Sequence, residues 1–237
     1  MTIKFGPAGL GGVKEAVYNL EKYSELGLEA CEIAFTYGVY IKKEEDAVKI
    51  GEAAKELGIK ERILKCCEVG TWIDAHRVVF HPGYYGKKDK QETYENIKKE
   101  IMNLQKEIKA KRYTPKLAPE TTGKINVFGS VDEILKLSEE TGCSFCIDFA
   151  HILARDKKYN FEETLKRFSG YKELHIHFSG IEYGEKGEKY HKETPENDLK
   201  ELIFNLPTDK ENIIINESPA PVKDSVSGVK IYEKIAL

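Results

Sequence analysis

Short apolar runs alternate with amphipathic stretches along the chain. The apolar runs have the length of β-strands, and most are bounded by Gly, Pro or polar residues. They predict seven strands, at 3–5, 30–35, 77–80, 116–118, 144–149, 174–178 and 212–216. The amphipathic stretches predict helices at 13–26, 44–57, 61–73, 92–109, 131–140, 161–168, 198–204 and 223–235. Repeated strand–helix units are typical of an α/β protein with a parallel sheet.

One junction breaks this alternation. The helix that stops at Gly58 is followed by Ile59 and Lys60 and then at once by another helix, so a third strand is missing there. With that strand, the pattern would be a complete (β/α)8 TIM-type barrel. We therefore expect a TIM barrel whose third strand is lacking from this chain or left out of its sequence. Since no linker or low-complexity tract divides the chain, we expect one domain over residues 1–237.

Composition and charge restrict the class of protein. The chain is 41% hydrophobic and 32% charged, and it has no apolar run near the roughly 20 residues of a membrane helix. Its first residues show no secretory leader, and its five scattered cysteines suggest reduced thiols, so we expect a cytoplasmic monomer. A net charge of −3 and a pI near 6.1 exclude a globally basic nucleic-acid binder but leave a local basic patch open.

Residue types that bind metal ions follow the predicted strands. In a barrel, the carboxyl ends of all strands meet at one mouth, so residues distant in sequence converge there. Three carboxylates at one mouth would repel one another without a cation, and mixed His, Asp and Glu ligands suit zinc, manganese or iron. The sequence thus predicts a metal site, with candidate ligands His81, Glu120, Asp148, His151, His175 or His177, and Glu217.

Six segments around these residues carry a family resemblance. They are VVFHPG at His81, LAPETTGK at Glu120, CIDFAH at Asp148 and His151, HIHFSG at His177, the segment with His191, and NESP at Glu217. The chain resembles the endonuclease IV family of abasic-site DNA repair endonucleases, among the xylose-isomerase-like barrels. This resemblance implies a (β/α)8 barrel with two or three zinc ions in its mouth, manganese being the alternative. It also implies a base excision repair enzyme that hydrolyses the phosphodiester 5′ to an abasic site.

The resemblance also implies roles for single residues. Glu120, Asp148, His177 and Glu217 would hold one zinc ion, and Glu120 and Glu217 would be the catalytic residues. Glu120 would bridge to a second ion held by His81, while His151 and His191 would serve a third. This chain departs from the family at two points. The family's His at the end of the third strand has no counterpart here, and Lys189 replaces an Asp ligand, with Glu188 as the substitute.

Basic and aromatic residues in the loops after the strands suggest a DNA-binding face. Lysine and arginine side chains there would contact phosphates, and tyrosine rings would stack beside an extruded nucleotide. The predicted DNA-binding residues are Tyr84, Tyr85, Lys87, Arg155, Lys186 and Lys189. The expected partner is DNA that contains abasic sites.

Two other functions remain open. A single-metal sugar isomerase or epimerase needs only the Glu, Asp, His, Glu set of Glu120, Asp148, His177 and Glu217. His81, His151 and His191, which a one-metal site would not need, favour the nuclease. A catalytically impaired barrel that binds metal or DNA without cutting is the third interpretation, because the third-strand ligand is missing. Glu32, in the middle of a predicted strand, has no role in any of them.

Overall fold

A computed structural model of the chain describes residues 2–9, 15–32 and 59–236. Its strands are β1 (Thr2–Pro7), β2 (Arg77–Phe80), β3 (Lys116–Pro119), β4 (Ile147–Asp148), β5 (Glu173–Phe178), β6 (Gly180–Gly184), β7 (Gly187–Lys192) and β8 (Glu211–Asn216). Its helices are α1 (Ala16–Glu25), α2 (Ile59–Trp72), α3 (Lys90–Lys111), α4 (Val131–Thr141), α5 (Phe149–Asp156), α6 (Phe161–Arg167), α7 (Glu196–Asn205) and α8 (Pro221–Ala236). The predicted α/β alternation is confirmed.

The strands form the arc of a parallel barrel. β1, β8, β5 and β4 pair in that order, and β2 pairs with β3. A parallel bridge between Glu120 and Cys146 connects β3 to the start of β4, and a second one joins Ala8 to Glu32. Within the described ranges, β3 is the one strand paired with β2. On its other side, β2 pairs with none of the strands in the described ranges, and this is the side where the sequence pattern lacks a third strand.

The two faces of β5 show how the strands divide the core from the site. Leu174, Ile176 and Phe178 point to one side, where they join the hydrophobic core that the surrounding helices cover. His175 and His177 point to the other side, and both are buried. A strand buried on both faces is typical of a parallel sheet inside helices. The predicted inward direction of both imidazoles is confirmed.

Local sequence signals set the ends of α4 as predicted. Ser130 accepts a hydrogen bond from the backbone of Glu133, and the Glu133 carboxylate accepts one from the Ser130 backbone, which completes a capping box. Gly142 ends the helix with φ at 70°, a left-handed conformation that glycine adopts without steric cost. Both residues of this motif were identified from sequence alone.

The predicted strand at 144–149 is wrong at its end. The strand β4 covers only Ile147–Asp148, and Phe149 begins helix α5, which the sequence pattern did not predict. The cause is Asp148, whose Oδ1 accepts a hydrogen bond from the backbone of His151 at 2.7 Å and so caps the new helix. Asp148 is thereby both a strand end and a helix start.

A β-hairpin replaces the loop that was expected around His191. β6 and β7 pair antiparallel and contact α5. Gly187 begins β7 with φ at 102°, and a Cβ on it would lie 2.0 Å from the carbonyl oxygen of Gly123. Only glycine fits here, for two reasons. A side chain would collide with the backbone of Gly123, and residues with a Cβ rarely adopt this positive φ. The hairpin therefore rests directly on the loop that follows β3.

Some predictions fall outside the described residues. The helix at 44–57, its stop at Gly58 and the second half of the strand at 30–35 belong to this group. Ile59 and Lys60 lie in the first turn of α2, so no strand occupies the junction at these two residues. Among the described helices, none is both long and apolar enough to cross a lipid bilayer.

Candidate metal centre

The register of the parallel strands brings the predicted ligands to one level. Phe80 lies opposite Pro119, so the residues that follow them, His81 and Glu120, come side by side. Asp148 lies opposite His177, and Phe178 lies opposite Asn216, which precedes Glu217. Side chains at these strand ends converge on the mouth, the end of the barrel that holds the carboxyl ends of its strands.

Four ligand residues meet at the centre of the mouth. Glu120, Asp148, His177 and Glu217 each offer one atom within 4.8 Å of the others, and we call them the central group. Nδ1 of His177 lies 2.9 Å from Oε1 of Glu120 and 3.4 Å from Oε2 of Glu217. The same nitrogen, Oε1 of Glu120 and Oδ2 of Asp148 are buried without any hydrogen-bond partner.

A second set of ligand residues lies beside the central group and shares Glu120 with it. His81, Glu120 and His151 also offer atoms within 4.8 Å of one another, and we call them the His81 group. Oε2 of Glu120 lies 3.2 Å from Nε2 of His81, whereas Oε1 faces His177 in the central group. The carboxylate of Glu120 therefore presents one oxygen to each group. This is the arrangement that a bridging ligand requires.

His151 points its free nitrogen toward the hairpin. Its Nδ1 donates to the carbonyl oxygen of Thr121 at 2.9 Å, because a carbonyl can only accept. When the ring is neutral, Nε2 therefore carries the lone pair. Nε2 lies 3.1 Å from Oε2 of Glu188, a buried oxygen without a hydrogen-bond partner. The ring of His191 lies 5.5 Å from that of His151 between centroids, and its Nδ1 is hydrogen-bonded to Ser179.

The expected third zinc set is therefore assembled in part. Glu188, and not Lys189, faces His151, which agrees with the substitution read from the sequence. Glu188 and His191 nevertheless belong to no group of three mutually close ligands among the described residues. His151 instead joins the His81 group.

A deeper layer of polar side chains lies below the central group. Oε1 of Glu32 lies 3.0 Å from Nε2 of His177 and 2.6 Å from Nε2 of His175. Cys146, His175 and His177 offer atoms within 4.8 Å of one another, and we call them the lower group. The sequence pattern assigned no role to Glu32. A charged residue inside an apolar strand was its only signal, and the partner residues stand more than 140 positions away.

Burial and crowded charges perturb these groups strongly. Burial raises the pKa of Asp148 to about 7, and the carboxylates of Glu120 and Glu217 add to the shift. Burial opposes a charge on His151, but Asp148, Glu120 and Glu188 raise its pKa to about 9. Burial likewise opposes charge on Glu120, yet His177 and His81 hold the pKa of this carboxyl well below its usual range. Without a metal, protons held by the histidines neutralise the buried carboxylates.

These side chains fit divalent metal ions. Nitrogen and oxygen atoms approach one another at about hydrogen-bond distance without hydrogen bonds, and the unpartnered atoms are ones that a cation would engage. Leaving buried polar atoms unpaired is costly, so a site with four of them at one mouth is incomplete without a ligand. Imidazole and carboxylate donors suit zinc and manganese. The donor set therefore matches the metals expected from the sequence.

The predicted DNA-binding residues divide into two sets. Tyr84, Lys87, Lys186 and Lys189 are exposed in loops or on the hairpin. Tyr85 is buried, and its hydroxyl donates to the carboxylate of Glu133 at 2.7 Å.

Arg155 also has a partner within the chain. Its Nη1 donates to the carbonyl oxygens of Lys124 at 2.7 Å and Val127 at 3.0 Å, in the loop that follows β3. The placements of Tyr85 and Arg155 favour roles in holding the loops over roles in touching DNA.

Comparison with known proteins identifies relatives of this chain. Residues 24–235 match the family described as xylose isomerase-like TIM barrel. The uncharacterized protein MJ0133 of Methanocaldococcus jannaschii is 33% identical, with 98% of this chain and 97% of the relative covered. That match extends over 266 residues although this chain has 237, so the relative holds residues without a counterpart here.

Solved structures share the fold at low sequence identity. SacUVDE has a TM-score of 0.69 at 16% identity, covering 100% of this chain and 99% of its own. D-Psicose 3-epimerase from Clostridium cellulolyticum H10 has a TM-score of 0.59 at 12% identity, with 99% of both chains covered. AP endonuclease, family 2, from Brucella melitensis has a TM-score of 0.56 at 11% identity, with 98% of both covered. The predicted barrel and the resemblance read from the sequence are confirmed at the level of family, and the chain belongs to the xylose isomerase-like TIM barrel family.

Proposed function

We propose that this protein is a metal-dependent phosphodiesterase that cleaves DNA 5′ to abasic sites. The observation that carries the proposal is the placement of Glu120 between two ligand groups. Its two carboxylate oxygens face His177 and His81 separately, which suits two neighbouring cations. Two adjacent cations are a recurrent device of phosphodiester hydrolysis, because they can clamp the attacking and leaving oxygens of an in-line displacement.

The side chains of the mouth would have defined tasks. The central group would hold one ion, and His81 with the second oxygen of Glu120 would hold another. Bound zinc or manganese would supply charge stabilisation at the phosphate and a lowered pKa for bound water. Glu120 and Glu217 are the catalytic residues of this proposal, since both lie where the scissile phosphate would have to approach. Thr121 fixes the ring of His151, so that Nε2 faces outward toward Glu188 and His191.

The exposed residues around the mouth would position the DNA. Within residues 2–9, 15–32 and 59–236, Lys87, Lys186 and Lys189 show no close backbone or carboxylate contact of the kind that holds Arg155. Phosphate contacts need only such local basicity, so the net charge of −3 does not oppose DNA binding. Binding of a duplex should weaken steeply as salt is raised.

The test uses the purified chain with added zinc or manganese and a duplex that carries one abasic-site analogue. We expect a single nick 5′ to the analogue, its loss with chelator, and no nick in an intact duplex. His81→Ala should lower the nicking rate by at least about 100-fold, because the His81 group then lacks its exposed ligand. His76→Ala is the matched control, since His76 is an exposed histidine at the opposite end of the same strand.

The central group alone also suits a sugar epimerase. Such an enzyme needs one metal and the four residues of that group, which the structure brings within 4.8 Å. The same preparations are therefore assayed for C3 epimerisation of a ketohexose. Epimerisation that survives His81→Ala, without nicking by the unmodified chain, would replace the nuclease proposal. Salt-sensitive binding to abasic DNA without nicking under any metal would instead support the impaired barrel.

A further inference from the structure

The two ring nitrogens of His177 face different partners. Nδ1 is directed at the carboxylates of Glu120 and Glu217, at 2.9 and 3.4 Å, and makes no hydrogen bond there. Nε2 is directed away from the mouth at Oε1 of Glu32, 3.0 Å distant. A neutral imidazole has one N–H and one lone pair, so whichever nitrogen holds the proton decides which one can bind a metal.

We propose that Glu32 is a positioning residue for the metal centre, which fixes the tautomer and the ring orientation of His177. A carboxylate only accepts hydrogen bonds when ionised, so Glu32 selects the form of His177 with its proton on Nε2. The lone pair then lies on Nδ1, toward the central group. Histidines that bind metals commonly donate their other N–H to a carboxylate in this way, which fixes the ring and raises its basicity.

His175 strengthens this support. It lies two residues before His177 on the same face of β5, and its Nε2 also donates to Oε1 of Glu32 at 2.6 Å. Two N–H donors on one oxygen hold the Glu32 carboxylate between the rings. Both histidines are buried and the Glu32 side chain is 23% exposed, so water has little access to these bonds. Glu32 comes from the segment beside β1, through the bridge of Glu32 to Ala8, and so ties a third part of the barrel to the central group.

The lower group offers a competing interpretation. Cys146, His175 and His177 could hold an ion of their own, with a cysteine thiolate as one ligand. Glu32 already engages Nε2 of both histidines, however, so an ion in the lower group would have to displace these hydrogen bonds. The hydrogen-bonded support of His177 is therefore the better account of this layer.

The proposal rests on the metal centre of the proposed function, but its test needs no cleavage of DNA. Metal-free protein is titrated with zinc against a chelating dye, for the unmodified chain and for Glu32→Ala. We expect an affinity about 10–100-fold lower in Glu32→Ala, with the same number of zinc ions bound at saturation. Glu32→Gln keeps an oxygen that can accept a hydrogen bond from Nε2. Its decrease in zinc affinity should therefore lie near the lower end of that range. Glu29→Gln, an exposed neighbour, is the control and should change nothing.

A second readout follows the proton itself. In zinc-loaded protein labelled with ¹⁵N-histidine, long-range ¹H–¹⁵N spectra should show His177 with zinc on Nδ1 and a proton on Nε2. In Glu32→Ala this pattern should give way to a mixture. If Glu32→Ala does not fold, Glu32→Gln supplies both comparisons.

Three results would overturn the proposal. The first is unchanged zinc affinity and an unchanged His177 pattern in both variants. The second is the loss of one zinc ion per chain, which would make Glu32 a ligand. The third is a thiolate-to-cobalt absorption band in cobalt-loaded protein that Cys146→Ser removes, since it would place an ion in the lower group. If the unmodified chain does not bind zinc, the proposed function fails together with this proposal. If zinc binding depends on Glu32 but the chain does not nick DNA, only the proposed function fails.

Discussion

Replacing Asp148 with Asn should stabilise the metal-free protein at alkaline pH while it weakens metal binding. Asp148 is fully buried among Glu120, Glu217 and His151. In the absence of a metal, the neighbouring histidines offset only part of the loss of hydration that its ionised form suffers, and two other carboxylates oppose its charge. Asparagine has the same shape and keeps an oxygen that can cap α5, as Oδ1 of Asp148 does. The substitution thus removes the charge and leaves the cap.

The size and sign of the effect follow from the pKa. Burial raises the pKa of Asp148 from 3.8 to about 7. Between these two pH values the unfolded chain releases a proton that the folded protein retains. Stability therefore falls as pH rises through this window, by about 1.4 kcal/mol per pH unit and up to about 4 kcal/mol in all. The stability that the protonated Asp148 contributes to the folded protein is fully present below pH 3.8 and lost above pH about 7.

The assay is urea unfolding in chelator at pH 5 and pH 8. The stability of Asp148→Asn minus that of the unmodified chain should rise by about 3 kcal/mol from the lower to the higher pH. Asp156→Asn, at the exposed end of the same helix, is the control, and its difference should not depend on pH. A difference for Asp148→Asn that stays constant with pH would refute the reasoning.

Saturating zinc should make the unmodified chain more stable than Asp148→Asn at pH 8, the reverse of the order expected without metal. In the unmodified chain, saturating zinc should restore at pH 8 the stability that is lost without metal, because a cation neutralises the carboxylates in place of protons. The gain should be smaller at pH 5, since His151, with a pKa raised to about 9, must give up its proton to bind. Asp148→Asn should lose most of the gain at both pH values. An equal gain in both proteins would mean that Asp148 is not a ligand.

Three further substitutions test the scaffold around the mouth. Ser130→Ala should lower the free energy of unfolding by about 1 kcal/mol, measured in urea, because the capping box with Glu133 is lost; no loss would mean that the cap is dispensable. Arg155→Lys should cost about 1–3 kcal/mol, because the shorter lysine side chain lacks the planar guanidinium that Arg155 directs at the loop carbonyls; unchanged stability with weaker DNA binding would assign Arg155 to DNA instead. Gly187→Ala should cost about 1–3 kcal/mol and loosen the hairpin in hydrogen exchange, since its Cβ would meet Gly123; unchanged protection of the hairpin would contradict this.

The predictable part of the site is the part that depends on strand ends. A ligand-type residue directly after an apolar run lies at the mouth whichever strands are neighbours, so His81, Glu120 and Glu217 could be placed without knowing the sheet order. The alternation of His175 and His177 with apolar residues also predicted their shared face correctly. Both arguments use only spacing within one segment.

The hairpin could not be predicted in the same way. Its strands are half polar and contain a short GEKG turn, so hydrophobic periodicity is weak there. The hairpin is held by α5 and by the loop at Gly123, which are remote in sequence. The same remoteness explains why the helical start at Phe149 was missed. An apolar residue after Asp148 continues a strand pattern, and only the side-chain cap shows that the strand has ended.

A layered barrel interior explains why Glu32 escaped sequence reasoning. Residues two positions before a ligand lie directly below it on the same strand face. Below His81, Glu120 and Glu217 these residues are Val79, Ala118 and Ile215, which are apolar, whereas below Asp148 and His177 they are Cys146 and His175. A polar lower layer is therefore confined to two adjacent strands, and it needs a partner from another strand to satisfy it. Glu32 meets that need from a segment more than 140 positions away, which only the arc of paired strands brings near. Sequence can thus show where a second polar layer is required, two residues below a ligand, but the residue that completes it follows from sheet order alone.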